Sequence, residues 1–318
     1  MTKSRAEATG TGKYEKLLAG CSKLAPVATA VAYPCEESAL TAAVEAAQAG
    51  LIQPILVGPA DTLRTIARRA KIDLAPYAVV DAPDSRAAAA KAVELVRKGE
   101  AEILMKGSLH TDDFLGAIVA RETGLRTGRR LSHVFIMDVP TYHKALIITD
   151  AAINIAPGLE DKVDILQNAI DLAIALGVAQ PKVAILSAVE TVTSKIPSTI
   201  DAAALCKMAD RGQIRGALLD GPLAFDNAIS KAAAKTKGIK SEVAGDADIL
   251  LAPDLEAGNM LAKQLSFLAN ADSAGLVLGA RVPAVLTSRA DSVRARLASA
   301  AVAVRLAHAR RAGAGGAA

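Results

Sequence analysis

Along the chain, short apolar runs alternate with longer stretches in which apolar residues recur every three or four positions. The short runs are rich in Val, Ile and Leu and too brief for helices, so they predict buried strands. They fall at 54–57, 78–81, 102–105, 134–138, 146–149, 183–186, 216–220, 249–252, 276–278 and 284–287. The longer stretches predict helices over 37–49, 61–70, 84–98, 111–121, 160–176, 199–211, 257–270 and 291–308. Gly50 and Gly177 stand where helix C-caps belong, and Pro181 precedes the next strand. Strand and helix in alternation specify an α/β protein with a mostly parallel sheet. Residues 1–12 read as a frayed start, and the Gly- and Ala-rich tail from Arg310 as disordered.

Composition narrows the function more than the fold. Hydrophobic residues make up 52% of the 318, much of it alanine, while aromatics are 3% and tryptophan is absent. A core of Ala, Val, Ile and Leu suits helices packed on a parallel sheet, and scarce aromatics argue against a base-stacking surface. A formal charge of +4 is too small for a duplex-binding protein but fits anionic ligands. Cys21, Cys35 and Cys206 form neither a metal spacing nor a disulfide framework. The first residues lack a signal-peptide core, and no run has the length of a membrane span. The expectation is a cytoplasmic protein with neither membrane nor nucleic acid as partner.

The polar, basic stretch 122–132 contains two glycines and reads as a linker into a second unit, with 279–283 as the return crossing. The expected division is a first α/β domain of residues 1–130 with 281–318, and an inserted second one of residues 131–280. A cleft between them would bring the linker to the junction at 283–292.

That junction, Pro-Ala-Val-Leu-Thr-Ser-Arg-Ala-Asp-Ser, is where the chemistry concentrates. Ser288 and Arg289 lie between a strand and a helix, where ligands of open α/β sheets bind. A helix start offers unpaired N–H groups, and a guanidinium matches phosphate oxygens in pairs. The bland reading is a capping Asp291, a loop hydroxyl and a solvated charge. Other strand ends carry similar groups: Lys106-Gly107-Ser108, Asp220-Gly221-Pro222, and Pro253-Asp254 leading to Gly258-Asn259. Nucleotide-binding glycine motifs, a zinc motif and a nucleophile elbow are missing.

Taken in order, several segments resemble the phosphate acetyltransferase and phosphate butyryltransferase family. They are Met105-Lys-Gly-Ser-Leu-His-Thr111, Leu131-Ser-His-Val-Phe-Ile-Met-Asp138, Thr149-Asp-Ala-Ala-Ile-Asn-Ile-Ala-Pro157 and Pro181-Lys-Val-Ala-Ile-Leu-Ser187. Asp220-Gly-Pro-Leu-Ala-Phe-Asp226, Gly245-Asp-Ala-Asp248, Pro253-Asp-Leu-Glu-Ala-Gly-Asn259 and Leu286-Thr-Ser-Arg289 continue the series. The resemblance implies reversible transfer of a short acyl group between coenzyme A and inorganic phosphate, with acyl phosphates as the other partner. It implies a two-domain fold like isocitrate and isopropylmalate dehydrogenases, with an interdomain cleft, and a homodimer or larger assembly. It implies no metal and no cofactor, coenzyme A being a substrate.

On the same resemblance Ser288 serves the thiol, Arg289 the acyl phosphate, and Ser132 the phosphate region. Asp291 is read either as base or as helix cap. Lys106, Ser108 and His133 are read as ligand contacts or polar caps, Asp150 and Asn154 as binding substrate or bracing a turn. Gly258 and Asn259 line the substrate or shape a helix start. Arg126, Arg129 and Arg130 either meet coenzyme A phosphates or form a solvated face. One position departs from the acetyltransferase pattern: Ala295 stands where an aspartate is expected seven residues after the serine. Asp291, as in butyryltransferase-type sequences, tilts the likeness to that branch. Two rivals stand beside this reading. One is a metal- and NAD-dependent decarboxylating dehydrogenase using Asp220, Asp226 and Asp248; the other is a non-catalytic coenzyme A or acyl-phosphate binder.

Overall fold

The computed structural model describes residues 12–287 and 291–315. In chain order its elements are α1 (Lys13–Ala19), β1 (Val27–Ala32), α2 (Glu37–Gln48), β2 (Ile52–Gly58), α3 (Ala60–Ala70), β3 (Ala78–Asp81), α4 (Ser85–Arg97), β4 (Ile103–Lys106) and α5 (Thr111–Val119). Next come β5 (Ser132–Asp138), β6 (Leu146–Thr149), α6 (Leu159–Ala175), β7 (Lys182–Leu186), α7 (Pro197–Asp210), β8 (Leu218–Leu223), α8 (Phe225–Ile229) and α9 (Lys231–Thr236). The chain closes with β9 (Ile249–Leu251), α10 (Leu255–Leu268), β10 (Asp272–Leu278), β11 (Ala284–Val285) and α11 (Val293–Gly315). Among the described residues no helix is long and apolar enough to cross a membrane.

All the strands join one sheet in the order β3-β2-β1-β4-β11-β10-β5-β6-β9-β7-β8. From β3 to β11 the pairs are parallel, as they are from β6 to β8. In the middle, β10 is antiparallel to both β11 and β5, and β5 is antiparallel to β6. The two parallel blocks therefore run in opposite directions, and their carboxyl ends open toward opposite edges. Each block is a series of crossovers that bury both faces, which explains the unbroken apolar runs.

Alternation along the strands sorts the core. One face carries Ile103, Met105, Val134, Ile136, Leu276 and Leu278, packed with α2, α6, α7 and α11 in a single continuous core. The other face holds two separate cores. Ala30, Val57, Leu104, Val277 and Ala284 pack under α4 and α5, while Met137, Ile148, Ala184 and Leu250 pack under α8 to α10. Between these two cores lies a seam over β10 and β5.

Two backbone crossings connect the halves. Leu125 O accepts from Arg281 N at 3.0 Å, Arg126 bridges Ala280, and Thr127 Oγ1 donates to Gly279 O at 2.6 Å. A Cβ on Gly279 would sit 2.3 Å from Arg130 O, and its φ is +87°, so glycine is required here. The expected linker and return crossing thus run side by side.

Three expectations change. Strand β1 was absent from the predicted elements, because Val-Ala-Thr-Ala-Val-Ala is half alanine, a poor strand former. It is nonetheless interior to the sheet, paired with both β2 and β4. Helix α1, likewise absent from the predicted elements, begins directly after the expected frayed start of residues 1–12 and is tied down by Lys13 Nζ on Asp138 at 2.9 Å. Helix α11 runs on to Gly315 through the expected disordered tail, and Arg311 pairs with Glu102 there.

Candidate active site

Strand parity decides what each predicted residue faces. On the seam side of the central strands lie His133 and Phe135 of β5, Gly275 of β10 and Lys106 of β4, next to Leu286. Gly275 has no room for a side chain, since a Cβ would fall 2.6 Å from Leu286 O and 3.2 Å from His133 Nε2. The His133 ring therefore lies beside the backbone two residues before Ser288. Ser288 and Arg289 themselves lie outside the described residues, so no geometry is assigned to them.

His133 is fully buried, and among the described residues neither ring nitrogen meets a partner in good hydrogen-bond geometry, the Leu286 carbonyl being the backbone acceptor nearby. Its ring meets Phe135 edge-on, with centroids 4.5 Å apart. Burial lowers its pKa to about 4, against the opposing pull of Asp150 and the Leu286 carbonyl. The imidazole is therefore neutral at neutral pH, with one N–H to donate and one lone pair to accept.

Asp150 follows β6 and is almost fully buried. Its Oδ1 accepts from Ala152 N at 2.9 Å and Ile153 N at 3.0 Å. Its Oδ2 accepts from His133 N at 3.2 Å, Asn154 N at 3.3 Å and Asn154 Nδ2 at 2.5 Å. Asn154 also donates to Leu131 O at 2.8 Å and accepts from Arg130 Nε at 2.5 Å. Of the two readings, bracing is the one these bonds describe: the carboxylate closes the turn after β6 onto the start of β5.

Helix α10 completes this corner. Asp254 caps it through Ala257 N at 2.8 Å, and Asn259 Nδ2 donates to Ala151 O at 3.0 Å. A Cβ on Gly258 would be 2.5 Å from Asp150 O. Gly258 therefore lets the helix approach the turn closely, and Asn259 ties the two together.

At the end of β4, Lys106 is buried and its Nζ lies 3.5 Å from Gly107 O. Gly107 approaches the end of β1 so closely that a Cβ would meet Ala32 O and Tyr33 O at 2.5 Å. Ser108 Oγ donates to Tyr33 O at 2.8 Å. Ser132, by contrast, faces the other side of the sheet, because adjacent strand residues alternate. It is fully buried there, and its Oγ accepts from Asn168 Nδ2 at 3.0 Å. His133 and Ser132 were expected together; parity separates them.

Next to Asp291, the hydroxyl of Ser292 accepts from Ala295 N at 3.2 Å and caps α11. The arginine run divides. Arg129 pairs with Asp171 at 2.5 Å and Arg130 with Asp161 at 2.9 Å, so both hold the crossing. Arg126 is exposed and has no ion-pair partner among the described residues.

Sequence reasoning missed Arg130 as the residue reaching Asn154, and Asn168 as the partner of Ser132. Both depend on contacts across 24 and 36 positions, which no local pattern carries. The aspartates offered for a metal are dispersed. Asp248 accepts from Lys182 N at 2.9 Å and pairs with Lys144 at 2.9 Å, while Asp220 accepts from Gly221 N at 2.8 Å. No group of three or more His, Cys, Asp or Glu residues among those described is placed to hold a metal ion.

A family model described as "Phosphate acetyl/butaryl transferase" matches residues 85–304. The chain is 64% identical over 300 residues to a phosphate acetyltransferase from Rhizobium meliloti, covering 94% of this chain and 95% of that one. It is 44% identical over 274 residues to a phosphate butyryltransferase from Clostridium acetobutylicum, covering 86% and 91%. Among solved structures it is similar to a branched-chain phosphotransacylase from Enterococcus faecalis V583, at 31% identity and a TM-score of 0.78, covering 89% and 99%.

Proposed function

Because the chain belongs to the phosphate acetyl/butyryl transferase family, we propose that it moves a short acyl group reversibly between coenzyme A and inorganic phosphate. The observation that carries this reading is that the family match over 85–304 takes in every residue named for the site. Attack of the thiol on an acyl phosphate forms the C–S bond and breaks the C–O bond to phosphate, and the thiol proton must leave. A thiol with a pKa near ~8.5 is mostly protonated at neutral pH, so a base or thiolate stabilisation is needed. In this reading Ser288 hydrogen-bonds the thiol or carbonyl oxygen and Arg289 grips the phosphoryl group. Asp291 is the proposed proton acceptor in this reading, Ala295 offering none.

The neutral imidazole of His133, Lys106 and the glycine-bearing strand ends supply the floor for substrate in this proposal. Asp150, Asn154, Gly258 and Asn259 hold the floor in shape, and no resident cofactor is invoked. We also propose the two-domain, dehydrogenase-like arrangement, with residues 1–130 and 281–318 in one unit and 131–280 in the other. The paired crossings and the reversal of strand direction at β10 and β5 support it. A homodimer or larger assembly is part of the reading, supported by the exposed Phe267 and Leu268 on α10, as is a cytoplasmic setting.

The acyl chain is acetyl or butyryl. The 64% likeness to an acetyltransferase weighs against the butyryl-type sequence after Arg289. The test is release of thiol from coenzyme A esters, acetyl to hexanoyl, in the presence of phosphate. Phosphate-dependent release is expected, with Arg289→Ala lowering kcat by about 10²-fold or more at unchanged stability. Coenzyme A binding without any release would favour the non-catalytic binder, and near-parental turnover by Arg289→Ala would defeat the residue assignment. The dehydrogenase alternative is not favoured by the family match.

A further inference from the structure

A cavity of about 360 Å³ lies on the face of the sheet opposite the seam. Its walls are mostly apolar: Leu17 of α1, Ile136 of β5, Ile147 of β6, Ala173 of α6 and Ala298 of α11. That volume falls within the range of small-ligand pockets, about 300–1,000 Å³. The charges around it are unevenly matched. Each acid lining it has a cation: Asp138 holds Lys13 at 2.9 Å, Asp248 holds Lys144 at 2.9 Å, and Asp272 holds Arg294 at 2.7 Å.

Arg305 also lines the cavity and is half-buried, yet it has no carboxylate partner among the described residues. Its Nη2 donates to Leu176 O at 2.9 Å. Gly20 and Gly177 leave room for the guanidinium: a Cβ on either would sit 3.3 Å from Nη1 or 3.5 Å from Nη2. A half-buried guanidinium with donors to spare beside an apolar chamber calls for an anion carrying an apolar tail. Lys16, exposed on the same lining, adds positive charge.

We propose that this cavity binds an apolar monocarboxylate of medium chain length, its tail between α1, α6 and α11 and its carboxylate on Arg305. Arg305 lies beyond the family match, and the site is separate from the seam, so this inference does not rest on the acyl-transfer reading. The tail would contact the residues of β5 and β10 that point away from the seam.

The experiment is calorimetric titration of the full chain with octanoate, octylammonium and octanol. It is run on the parent, on Arg305→Gln, whose amide can still donate to Leu176 O, and on Ala298→Leu, which narrows the chamber. The expected result is saturable one-to-one binding of octanoate and none of octylammonium. Octanoate should bind about tenfold or more weakly in Arg305→Gln, the loss of a charge-assisted hydrogen bond, and more weakly in Ala298→Leu. No saturable octanoate binding by the parent, equal binding of octylammonium, or unchanged binding in either variant would overturn the proposal. Should one variant fail to fold, the other variant and the ligand series on the parent still decide it.

Discussion

Replacing Asp150 with asparagine tests whether its carboxylate braces the turn after β6. Two of its donors, the His133 and Asn154 backbone amides, belong to buried residues and have no access to water in exchange. An asparagine that keeps its carbonyl toward Ala152 N and Ile153 N turns its NH₂ group toward those amides and toward Asn154 Nδ2. Acceptor then becomes donor at a place where only donors arrive. A charge-assisted hydrogen bond contributes about 1.5–3 kcal/mol, and an orphaned buried donor costs about 1–3 kcal/mol. With two buried amides affected, Asp150→Asn should lose about 3–5 kcal/mol of folding stability, allowing for partial relaxation of the turn. Urea unfolding followed by far-ultraviolet circular dichroism measures this, and the midpoint should fall while the slope stays constant. A variant within about 1 kcal/mol of the parent would refute the bracing argument. If that stable variant were also inactive, the carboxylate would be serving substrate directly.

Other outcomes follow from the same geometry. Gly258→Ala places a methyl group 2.5 Å from Asp150 O, so α10 must shift; a destabilisation of about 1–3 kcal/mol is expected in the same unfolding assay. His133 has its folded-state pKa lowered by burial to about 4, so the unfolded chain takes up a proton before the folded one does. Stability should therefore fall as pH drops from ~6.5 toward ~4, by up to an order of 3 kcal/mol, and the slope should flatten in His133→Gln. Asp246 is partly desolvated, which alone would raise its pKa, but Lys182, His143 and Lys144 together hold it well below the usual carboxylate range. Its stabilising effect is present above the unfolded value of ~3.9 and is lost as pH falls below it. Asp246→Asn should thus cost about 1–3 kcal/mol at pH 7 and progressively less below pH ~4, read from unfolding midpoints across pH.

Much of this protein is legible along the chain because its chemistry is local to strand ends. Buried strands of a crossover fold are continuous apolar runs, so β3, β6 and their helices fall close to where periodicity predicts them. Glycines at Gly50 and Gly177 mark helix ends because their positive φ of 71° and 97° is cheap only for glycine. Ordered motifs likewise place Lys106, Asp150, Asn154, Gly258 and Asn259 near strand ends. What the chain alone leaves open is which way those groups turn and which partners they meet. The alanine-rich β1 is a strand only because β2 and β4 flank it, a non-local pairing that outweighs weak propensity. Ser132 and His133 are neighbours in sequence but face opposite sides of the sheet, and only the packing of α6 fixes which side is which. Asp150 binds to backbone amides because the turn folds around it. Residue identity sets the available chemistry; tertiary packing decides whether a polar group is spent on the fold or kept for a ligand, since a buried donor or acceptor must be paired wherever the chain happens to bring a partner.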